Sequence, residues 1–532
     1  MATNAPTAGY PGGSGQPRRW RRWLIASLAI VLLIPVGVAG AVGLVWARAV
    51  TNTIGEVAFE RPLAIPPLAG SRVEDGTRVF DLRAAAGTTD FEVAGSPTAT
   101  WGYNGSYLGP TLRAERGERV RINVTNELGE TTTTHWHGHH LPAEMDGGPH
   151  QPIEPGQTWS PEWTVDQPAA TTWYHPHLHG TTAEHVYQGL AGMFILDDAQ
   201  SRELGLPSEY GVDDVPLIVQ DKKFGDGGQL ERGGSLFSPV GMLGDTILTN
   251  GTAGAYLDVT TELVRLRLLN ASNARVYNFG FSDDREFALI GTDGGLLPAP
   301  HRTGRIQLSP GERAEVVVAM RPGEETVLRS YPPEVGGLLG RISGAEDSFD
   351  VLQLRAADEL VPSAPVPEKL APAPDLDPAD AQVTRTFQMT GSKINGKHME
   401  MGRIDEVVEV GTTELWEVSS ADGIMHSFHV HDAQFQVVSV DGGPPPPELS
   451  GWKDTIFLPP GRTARLLLRF TDYTDPDRPY MYHCHVLSHE DQGMMGQFVV
   501  VEPGQAAGVP STGGHGAGDQ GAGGHGAGGH HH

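Results

Sequence analysis

The stretch RVRINVTN at residues 119–126 alternates apolar and polar side chains, which is the pattern of a strand with one buried face. Two further stretches have the same character, LVRLRLLN at 263–270 and DEVVEVGTTELWEV at 405–418. An Asn-Gly pair precedes each stretch, and the three asparagines are Asn104, Asn250 and Asn395. A repeat of about 150 residues without long helical periodicity predicts three tandem β-sandwich domains.

The repeat and the local composition predict where the domains begin and end. We expect sandwich domains at 52–200, 201–355 and 383–503. A Pro/Ala-rich linker at 356–382 separates the last two, since closely spaced prolines prevent ladder pairing. A Gly/His-rich tail follows at 504–532, and flexibility is its simplest interpretation, with copper scavenging or a purification tag as alternatives.

The N-terminus predicts a location outside the cytoplasm. Residues 1–17 are rich in Gly, Pro and Ser and are expected to be disordered. Segment 18–49 places four arginines before an uncharged run long enough to span a bilayer, for which ~20 apolar residues suffice. Arg21 and Arg22 also resemble a twin-arginine export signal. A retained membrane anchor and a cleaved signal both put the rest of the chain outside the cytoplasmic membrane.

The charge and cysteine content exclude several classes of protein. The chain has 38 basic and 65 acidic residues and a net charge of −27, which argues against nucleic-acid binding and favours small cations. The single cysteine, Cys484, excludes an internal disulfide. Because His483 and His485 flank it, a metal-bound thiolate is the favoured interpretation.

Histidines occur in pairs separated by one residue. The pairs are His135/His137, His175/His177, His429/His431 and His483/His485. Residues two apart in a strand point to the same face, so each pair offers two imidazoles side by side. Eight imidazoles suit a cluster of three copper ions, whereas structural zinc needs only a closed set of four ligands. The predicted middle domain carries only His301, so the metal site is expected between the first and third domains.

The fourth pair predicts a second, separate copper site. Cys484 lies between two cluster histidines and therefore faces the opposite side of the strand. A blue copper site needs two histidines and a weak axial ligand beside its thiolate. His426 and His489 are left over from the pairs, and Met494 supplies a soft thioether.

Four segments together resemble the three-domain multicopper oxidases, the superfamily of laccases and bacterial cuprous oxidases. They are HWHGHH (135–140), WYHPHLHG (173–180), HSFHVHDAQF (426–435) and YHCHVLSHEDQGMM (482–495). The resemblance covers about residues 55–503 and implies cupredoxin-like Greek-key β-sandwiches with four copper ions. It implies a type 1 copper on His426, Cys484, His489 and Met494, and a type 2 copper on His135 and His429. The type 3 pair would be held by His137, His175, His177, His431, His483 and His485.

Three carboxylates gain candidate roles from a closer resemblance to the bacterial copper-resistance oxidases, seen in INGKHMEM, GWKDT and SHEDQGMM. Asp146 and Glu490 occupy positions that assist proton delivery in those enzymes, with hydrogen bonding at a turn as the alternative. Asp422 matches a ligand position for a substrate copper ion, with capping of a loop as the alternative. His139, His140, Asp432 and Ile424 depart from the family pattern, and His398, Met399 and Met401 form a further His/Met group.

These residues predict an oxidase that takes single electrons from a reducing substrate and reduces O2 to water. The substrate is a phenol or amine, as in a laccase, or Cu(I), as in an enzyme of copper tolerance. A non-catalytic copper carrier is the third hypothesis, and eight cluster histidines argue against it, because a carrier needs no O2 site. A copper nitrite reductase is also disfavoured, because proteins of that class lack the paired type 3 ligands. We expect a monomer.

Overall fold

The computed structural model describes residues 1–2, 5–9, 23, 43, 46–93, 95–232 and 238–510. Residues 1–50 and 51–532 form two compact units. The predicted disordered segment 1–17, the predicted anchor or signal 18–49 and the predicted tail 504–532 lie mostly outside the described residues. In the part of the chain that is described, no helix combines the length and the apolar character needed to cross a membrane.

Strands dominate the second unit and fall into three consecutive segments. The elements of the first segment are β1 (Arg61–Pro62), β2 (Ser71–Glu74), β3 (Thr77–Thr89), β4 (Thr98–Tyr103), β5 (Leu112–Glu115), β6 (Arg119–Asn126), β7 (His135–His137), a 3-10 turn (Ala143–Met145), β8 (Thr158–Trp159), β9 (Glu162–Thr164), β10 (Ala170–His175), α1 (Thr182–Gln188), β11 (Gly192–Asp197) and α2 (Ala199–Glu203).

The middle segment is built almost entirely of strands. Its elements are β12 (Asp214–Lys222), a 3-10 turn (Asp226–Gly228), β13 (Thr246–Thr249), β14 (Thr252–Ala253), β15 (Ala255–Thr261), β16 (Leu263–Asn270), β17 (Tyr277–Phe281), β18 (Phe287–Thr292), β19 (Gly295–Thr303), β20 (Ile306–Leu308), β21 (Arg313–Ala319), β22 (Glu325–Tyr331), a 3-10 turn (Gly340–Ser343) and β23 (Phe349–Val361).

The last segment ends in a short helix and a final strand. Its elements are a 3-10 turn (Pro378–Asp380), β24 (Val383–Thr390), β25 (Lys393–Ile394), β26 (Glu406–Glu409), β27 (Thr413–Ser420), β28 (His426–Val430), β29 (Phe435–Val440), a 3-10 turn (Pro447–Leu449), β30 (Trp452–Lys453), β31 (Thr455–Leu458), β32 (Thr463–Arg469), β33 (Tyr480–Cys484), α3 (Leu487–Asp491) and β34 (Met495–Val501).

Each segment forms two sheets that enclose a hydrophobic core. The first pairs β2-β3-β6-β8, with β4 and β9 at its margins, against β5-β11-β10-β7. The middle pairs β14-β13-β12-β16-β21-β18-β19 against β1-β15-β23-β22-β17-β20. Strand β1 precedes the first sandwich in the chain but pairs with β15 of the middle one. The last pairs β25-β24-β27-β32-β29-β30 against β26-β34-β33-β28-β31. The predicted all-β class of three sandwiches is confirmed.

The three Asn-Gly turns perform the same structural role in each sandwich. Asn104, Asn250 and Asn395 have φ angles of 58°, 50° and 52°, in the left-handed region that asparagine tolerates. In each case the side-chain oxygen accepts a backbone N–H at 2.8 Å from a neighbouring strand residue. The side-chain amide donates at 2.8 Å to the carbonyl two residues earlier in that strand. The sequence repeat is therefore a repeat of backbone geometry.

The Pro/Ala-rich segment 356–382 begins inside a strand. β23 continues to Val361, and its residues 355, 356 and 361 still pair with β15. Beyond Pro362, the segment contains only the 3-10 turn at Pro378–Asp380 before β24 starts at Val383. Prolines thus mark the end of regular pairing more closely than the change in composition does.

The close packing of Gly496 against Tyr482 gives a test of the third sandwich. A Cβ at Gly496 would lie 2.3 Å from the tyrosine ring, so alanine must displace the ring. We expect Gly496→Ala to lower the free energy of unfolding by about 1–3 kcal/mol. Denaturant unfolding of the copper-free protein measures this, with Gly402→Ala as the control because nothing lies within 4 Å of its Cβ position. Equal stability of the two variants would contradict the packing described.

Candidate metal centres

Strand pairing brings the histidine pairs together. His135 and His137 lie on β7, where His135 is directly opposite His175 at the end of β10. In the third sandwich, His429 on β28 is directly opposite His483 on β33. Each sandwich therefore assembles its own imidazoles across a strand pair, and docking of the two sandwiches brings both sets together.

All eight paired histidines converge on one buried region. Their ligand nitrogens group within 4.8 Å of one another in three trios, two of which share His137. The trios are His135/His137/His429, His137/His175/His485 and His177/His431/His483. All eight side chains are at most 1% exposed. The sequence predicted these residues as one set, and the structure divides the six expected at the type 3 pair into two groups of three.

Hydrogen bonds to the outer ring nitrogens leave the inner nitrogens free. The Nδ1 atoms of His135 and His429 donate to the carbonyls of Asp146 (2.9 Å) and Asp454 (2.8 Å). The Nδ1 of His175 donates to the carbonyl of Pro176 at 2.8 Å. A neutral imidazole has one proton, so the Nε2 of each ring is an unprotonated lone pair. Among the described residues, these three buried Nε2 atoms have no hydrogen-bond partner, which fits metal coordination.

The third trio carries the clearest signature of a metal. The Nε2 of His177 lies 3.0 Å from the Nε2 of His483 and 3.2 Å from that of His431. His431 donates its Nδ1 proton to Asp146 Oδ2 at 2.8 Å, and His483 directs Nδ1 at the Cys484 carbonyl at 3.2 Å. A single N–H on His177 can satisfy only one of the two facing lone pairs, so a cation among the three nitrogens is needed to remove the remaining repulsion. The arrangement therefore fits a bound metal ion.

Burial keeps most of these imidazoles neutral. Burial lowers the pKa of His137, His175, His429 and His431 well below the usual range, and neighbouring histidines add to the effect. For His177 and His485, burial lowers the pKa to about 3. Neutral imidazole is the form that binds metals.

A second centre lies on the opposite face of β33. The Sγ of Cys484 is 3.6 Å from the Nδ1 atoms of both His426 and His489. The outer nitrogens of these rings are occupied, because His426 Nε2 donates to Asp422 at 3.1 Å and His489 Nε2 donates to the Pro239 carbonyl at 2.9 Å. Burial raises the pKa of Cys484, but the two histidines outweigh it and lower that pKa to about 5. A thiolate flanked by the Nδ1 atoms of two imidazoles is a donor set that fits a soft metal ion.

Met494 lies beside this centre. Its side chain is fully buried in the same hydrophobic cluster as Cys484 and Phe428. The Cys484 N–H donates to the Met494 carbonyl at 3.1 Å, which fixes the two residues next to each other. The residues 398–401 contact the same loop, since His398 Nδ1 donates to the Gln492 carbonyl and Met399 N–H to that of Gly493.

Both predicted proton-handling carboxylates contact the histidine cluster. Asp146 accepts from His431 and lies 3.4 Å from His135 Nδ1. Glu490 is fully buried, 3.2 Å from His483 Nδ1 and 3.5 Å from His177 Nδ1. Burial would raise the pKa of Glu490, yet the adjacent histidines lower it below the usual range.

Asp422 occupies the edge of the second centre. Besides His426, its carboxylate accepts the backbone N–H groups of Gly391 (2.5 Å) and Ile424 (3.3 Å). Its side chain is 20% exposed, whereas His426 and His489 are almost fully buried. Asp422 therefore both caps a loop and lies at the surface edge of the metal centre.

Two of the departures from the family pattern, His140 and Asp432, pair with each other. His140 Nδ1 donates to Asp432 at 2.8 Å, and its Nε2 lies 2.8 Å from Asp472. Burial lowers the pKa of His140, but the two carboxylates raise it well above the usual range. His139 Nε2 forms a 2.8 Å hydrogen bond with Thr172 Oγ1, and its ring packs on Phe194. His140 therefore links the first and third sandwiches, His139 packs within the first, and both stay outside the metal trios.

Sequence reasoning missed Asp454 and Thr455. Asp454 Oδ1 lies 3.0 Å from His137 Nε2, and Thr455 Oγ1 lies 3.1 Å from the same atom. The segment GWKDT contributed only to a family resemblance, because nothing local indicates that its Asp reaches a histidine 317 residues away.

Comparisons with known proteins agree with this geometry. Two family models, both described as multicopper oxidase, match residues 85–201 and 372–504. The cell division protein FtsP of Dickeya dadantii is 38% identical over 83% of this chain and 92% of its own length. The multicopper oxidase mco of Staphylococcus haemolyticus is 36% identical over 82% and 92%. The crystal structure of a multi-copper oxidase from Pediococcus acidilactici has a TM-score of 0.75 and 37% identity, covering 84% of this chain and 92% of that one.

The chain belongs to the multicopper oxidase family. The predicted resemblance and the predicted cupredoxin-like fold are confirmed. The protein is an oxidoreductase whose cofactors are four copper ions, and it uses O2 and a reducing substrate.

We expect Cys484→Ser to remove the intense blue absorption and the oxidase activity while the fold persists. Serine cannot supply the soft thiolate that a type 1 copper requires. The absorption spectrum, copper content and circular dichroism of the purified variant measure this outcome. Copper should still bind at the histidine cluster. A variant that stays blue would remove Cys484 from the metal centre.

Proposed function

We propose that the two centres divide the work of the oxidase as follows. His426, Cys484, His489 and Met494 hold the type 1 copper, which receives electrons from the substrate. His135 and His429 hold the type 2 copper. The trio His137/His175/His485 and the trio His177/His431/His483 each hold one ion of the type 3 pair. The converging Nε2 atoms of His177, His431 and His483 carry this proposal.

Copper, when bound, supplies the one-electron chemistry and the reduction of O2 to water. The chain supplies the connection between the two centres. Cys484 and its neighbours His483 and His485 are consecutive, so the two centres are separated by one peptide unit on either side of the sulfur. The hydrogen bond from His483 Nδ1 to the Cys484 carbonyl gives a second, shorter route between them.

Glu490 is proposed to deliver protons to the cluster. Its carboxylate oxygens have no hydrogen-bond donor other than the cluster histidines nearby, so they are available to bind a proton or water. The next residue, Asp491, lines a cavity of about 420 Å³ together with Ser488, Asn273 and Arg232. A cavity that reaches the residue next to Glu490, with Ser488, Asn273 and Asp491 in its lining, supports a path for water and protons to Glu490.

We expect Glu490→Gln to slow reoxidation of the reduced cluster by O2 more than reduction of the type 1 copper. Glutamine keeps the shape of the side chain but cannot relay a proton, and loss of general acid–base assistance costs about 10²–10⁴-fold. Stopped-flow absorption separates the two half-reactions. Reoxidation at the parent rate would exclude Glu490 from proton delivery.

The accessible edge of the type 1 centre supports a small cationic donor, Cu(I). His489 Nε2 is covered by the Pro239 carbonyl, which closes that ring to a bulky phenol. His426 is reached through Asp422, whose partly exposed carboxylate attracts cations. The net charge of −27 acts in the same direction. Oxidation of phenols or amines is the second candidate, and a non-catalytic copper carrier is the third. The complete set of cluster ligands argues against a carrier.

We expect Asp422→Ala to lower kcat/KM for Cu(I) at least tenfold more than kcat/KM for a bulky phenol. Loss of the hydrogen bond to His426 affects both substrates, so the ratio of the two values isolates the cation effect. Oxygen uptake with each donor gives the values. Asp258→Ala is the control, because it removes the same charge from an exposed position on β15. Equal losses on both donors would favour a general laccase.

The remaining expectations concern organisation and location. We propose that the domain limits follow 52–200, 201–355 and 383–503, and that the protein acts as a monomer. Residues 18–49 are proposed to direct it outside the cytoplasmic membrane, by a retained anchor or by twin-arginine export. Membrane association of the full chain, compared with a chain starting at Val50, tests the anchor.

A further inference from the structure

His137 is oriented in the opposite sense to its neighbours. Its Nε2 points at Asp454 Oδ1 (3.0 Å), and its Nδ1 is buried without a hydrogen-bond partner. In His135, His175 and His429, by contrast, Nδ1 is the hydrogen-bonded atom and Nε2 is free. Of the two nitrogens of His137, Nδ1 is therefore the one left for a metal.

A buried arginine of the middle sandwich fixes Asp454. The two terminal nitrogens of Arg313, on β21, donate to the two carboxylate oxygens of Asp454 at 2.7 and 2.6 Å. The remaining guanidinium protons go to the carbonyls of Thr171, Gly311 and Asp293 at 2.9, 3.1 and 2.9 Å. All five donors of the fork are satisfied, so neither Arg313 nor the carboxylate that it holds can turn.

The residue after His137 is a glycine, which leaves room for Arg313 and Asp454. Gly138 has φ +88°, and a Cβ there would lie 2.6 Å from Arg313 and 2.7 Å from Asp454. The neighbouring Lys453 is also held from the middle sandwich, by Asp293 at 2.8 Å and Glu312 at 3.0 Å. The start of β31 is thus fixed by charged groups of the middle sandwich on both sides.

We propose that Arg313 and Asp454 are a positioning pair that holds His137 with Nδ1 toward the type 3 copper. Through this pair the middle sandwich, which supplies none of the proposed ligands, controls one ligand of the cluster. Asp454 accepts a hydrogen bond from the Nε2–H of His137, and a carboxylate acceptor behind a metal-binding imidazole orients the ring and raises its basicity. The inference rests on the proposed ligand assignment.

The first test is a crystal structure of the copper-loaded parent enzyme. His137 is expected to bind copper through Nδ1, with Nε2 within hydrogen-bond distance of Asp454. Coordination through Nε2 would overturn the inference. If no metal lies at the histidine cluster of the loaded enzyme, the ligand assignment fails and this inference fails with it.

The second test compares Asp454→Asn with Asp350→Asn. Asp350 is a matched control, since it is a buried carboxylate of the middle sandwich paired to Arg329 at 2.6 Å. Asp454→Asn is expected to weaken copper binding at the cluster or lower oxidase activity by about 10- to 100-fold. The fraction of copper detected by electron paramagnetic resonance should rise, because the type 3 ions lose their magnetic coupling. The blue absorption per chain should stay at the parent value, which a general loss of structure would not allow.

Arg313→Lys decides the matter if Asp454→Asn does not fold. Lysine retains the buried positive charge but loses the two-pronged contact with Asp454. The same rise in detectable copper is expected, with a smaller amplitude. If the folded variants match Asp350→Asn in copper content and magnetic coupling, Arg313 and Asp454 serve only to join the sandwiches, and the positioning role is wrong.

Discussion

The hydrogen bonds that point the imidazole protons outward determine the rest of the metal region. A buried imidazole without a partner is costly, and eight such rings would repel one another if they were charged. The backbone carbonyls of Asp146, Pro176 and Asp454 each accept a hydrogen bond from one imidazole. The other nitrogen of that imidazole is then directed inward. Burial lowers the pKa of most of these rings and so favours their neutral form, and the strand alternation places the members of each pair on one face. Metal affinity is thus prepared by groups that never touch the metal.

Local chemistry explains why so much of the site could be predicted from the sequence. Two residues separated by one position point to the same face of a strand. The four histidine pairs and the opposite orientation of Cys484 therefore follow from the sequence. The same is true of Asn104, Asn250 and Asn395, whose turn is made by their own side chains. The fold class and the copper chemistry therefore rested on short-range patterns.

What the sequence could not supply depends on contacts between distant segments. Arg313 meets Asp454 across 141 positions, and no local pattern marks either residue. The division of six histidines into two trios likewise depends on how two sandwiches dock. His140 and Asp432 read as isolated departures from a family pattern, yet they pair with each other over 292 positions. A departure at one site is interpretable only when its partner is known.

The distribution of the ligands along the chain also sets the order of events in biosynthesis. Every trio combines residues before position 180 with residues after position 425, and two of them require His483 or His485. A nascent chain therefore lacks a complete cluster until its final sandwich has left the ribosome and docked against the first. Completion of the cluster therefore follows docking of the final sandwich, and a chain truncated before β33 would lose cluster ligands together with two inner strands of that sandwich.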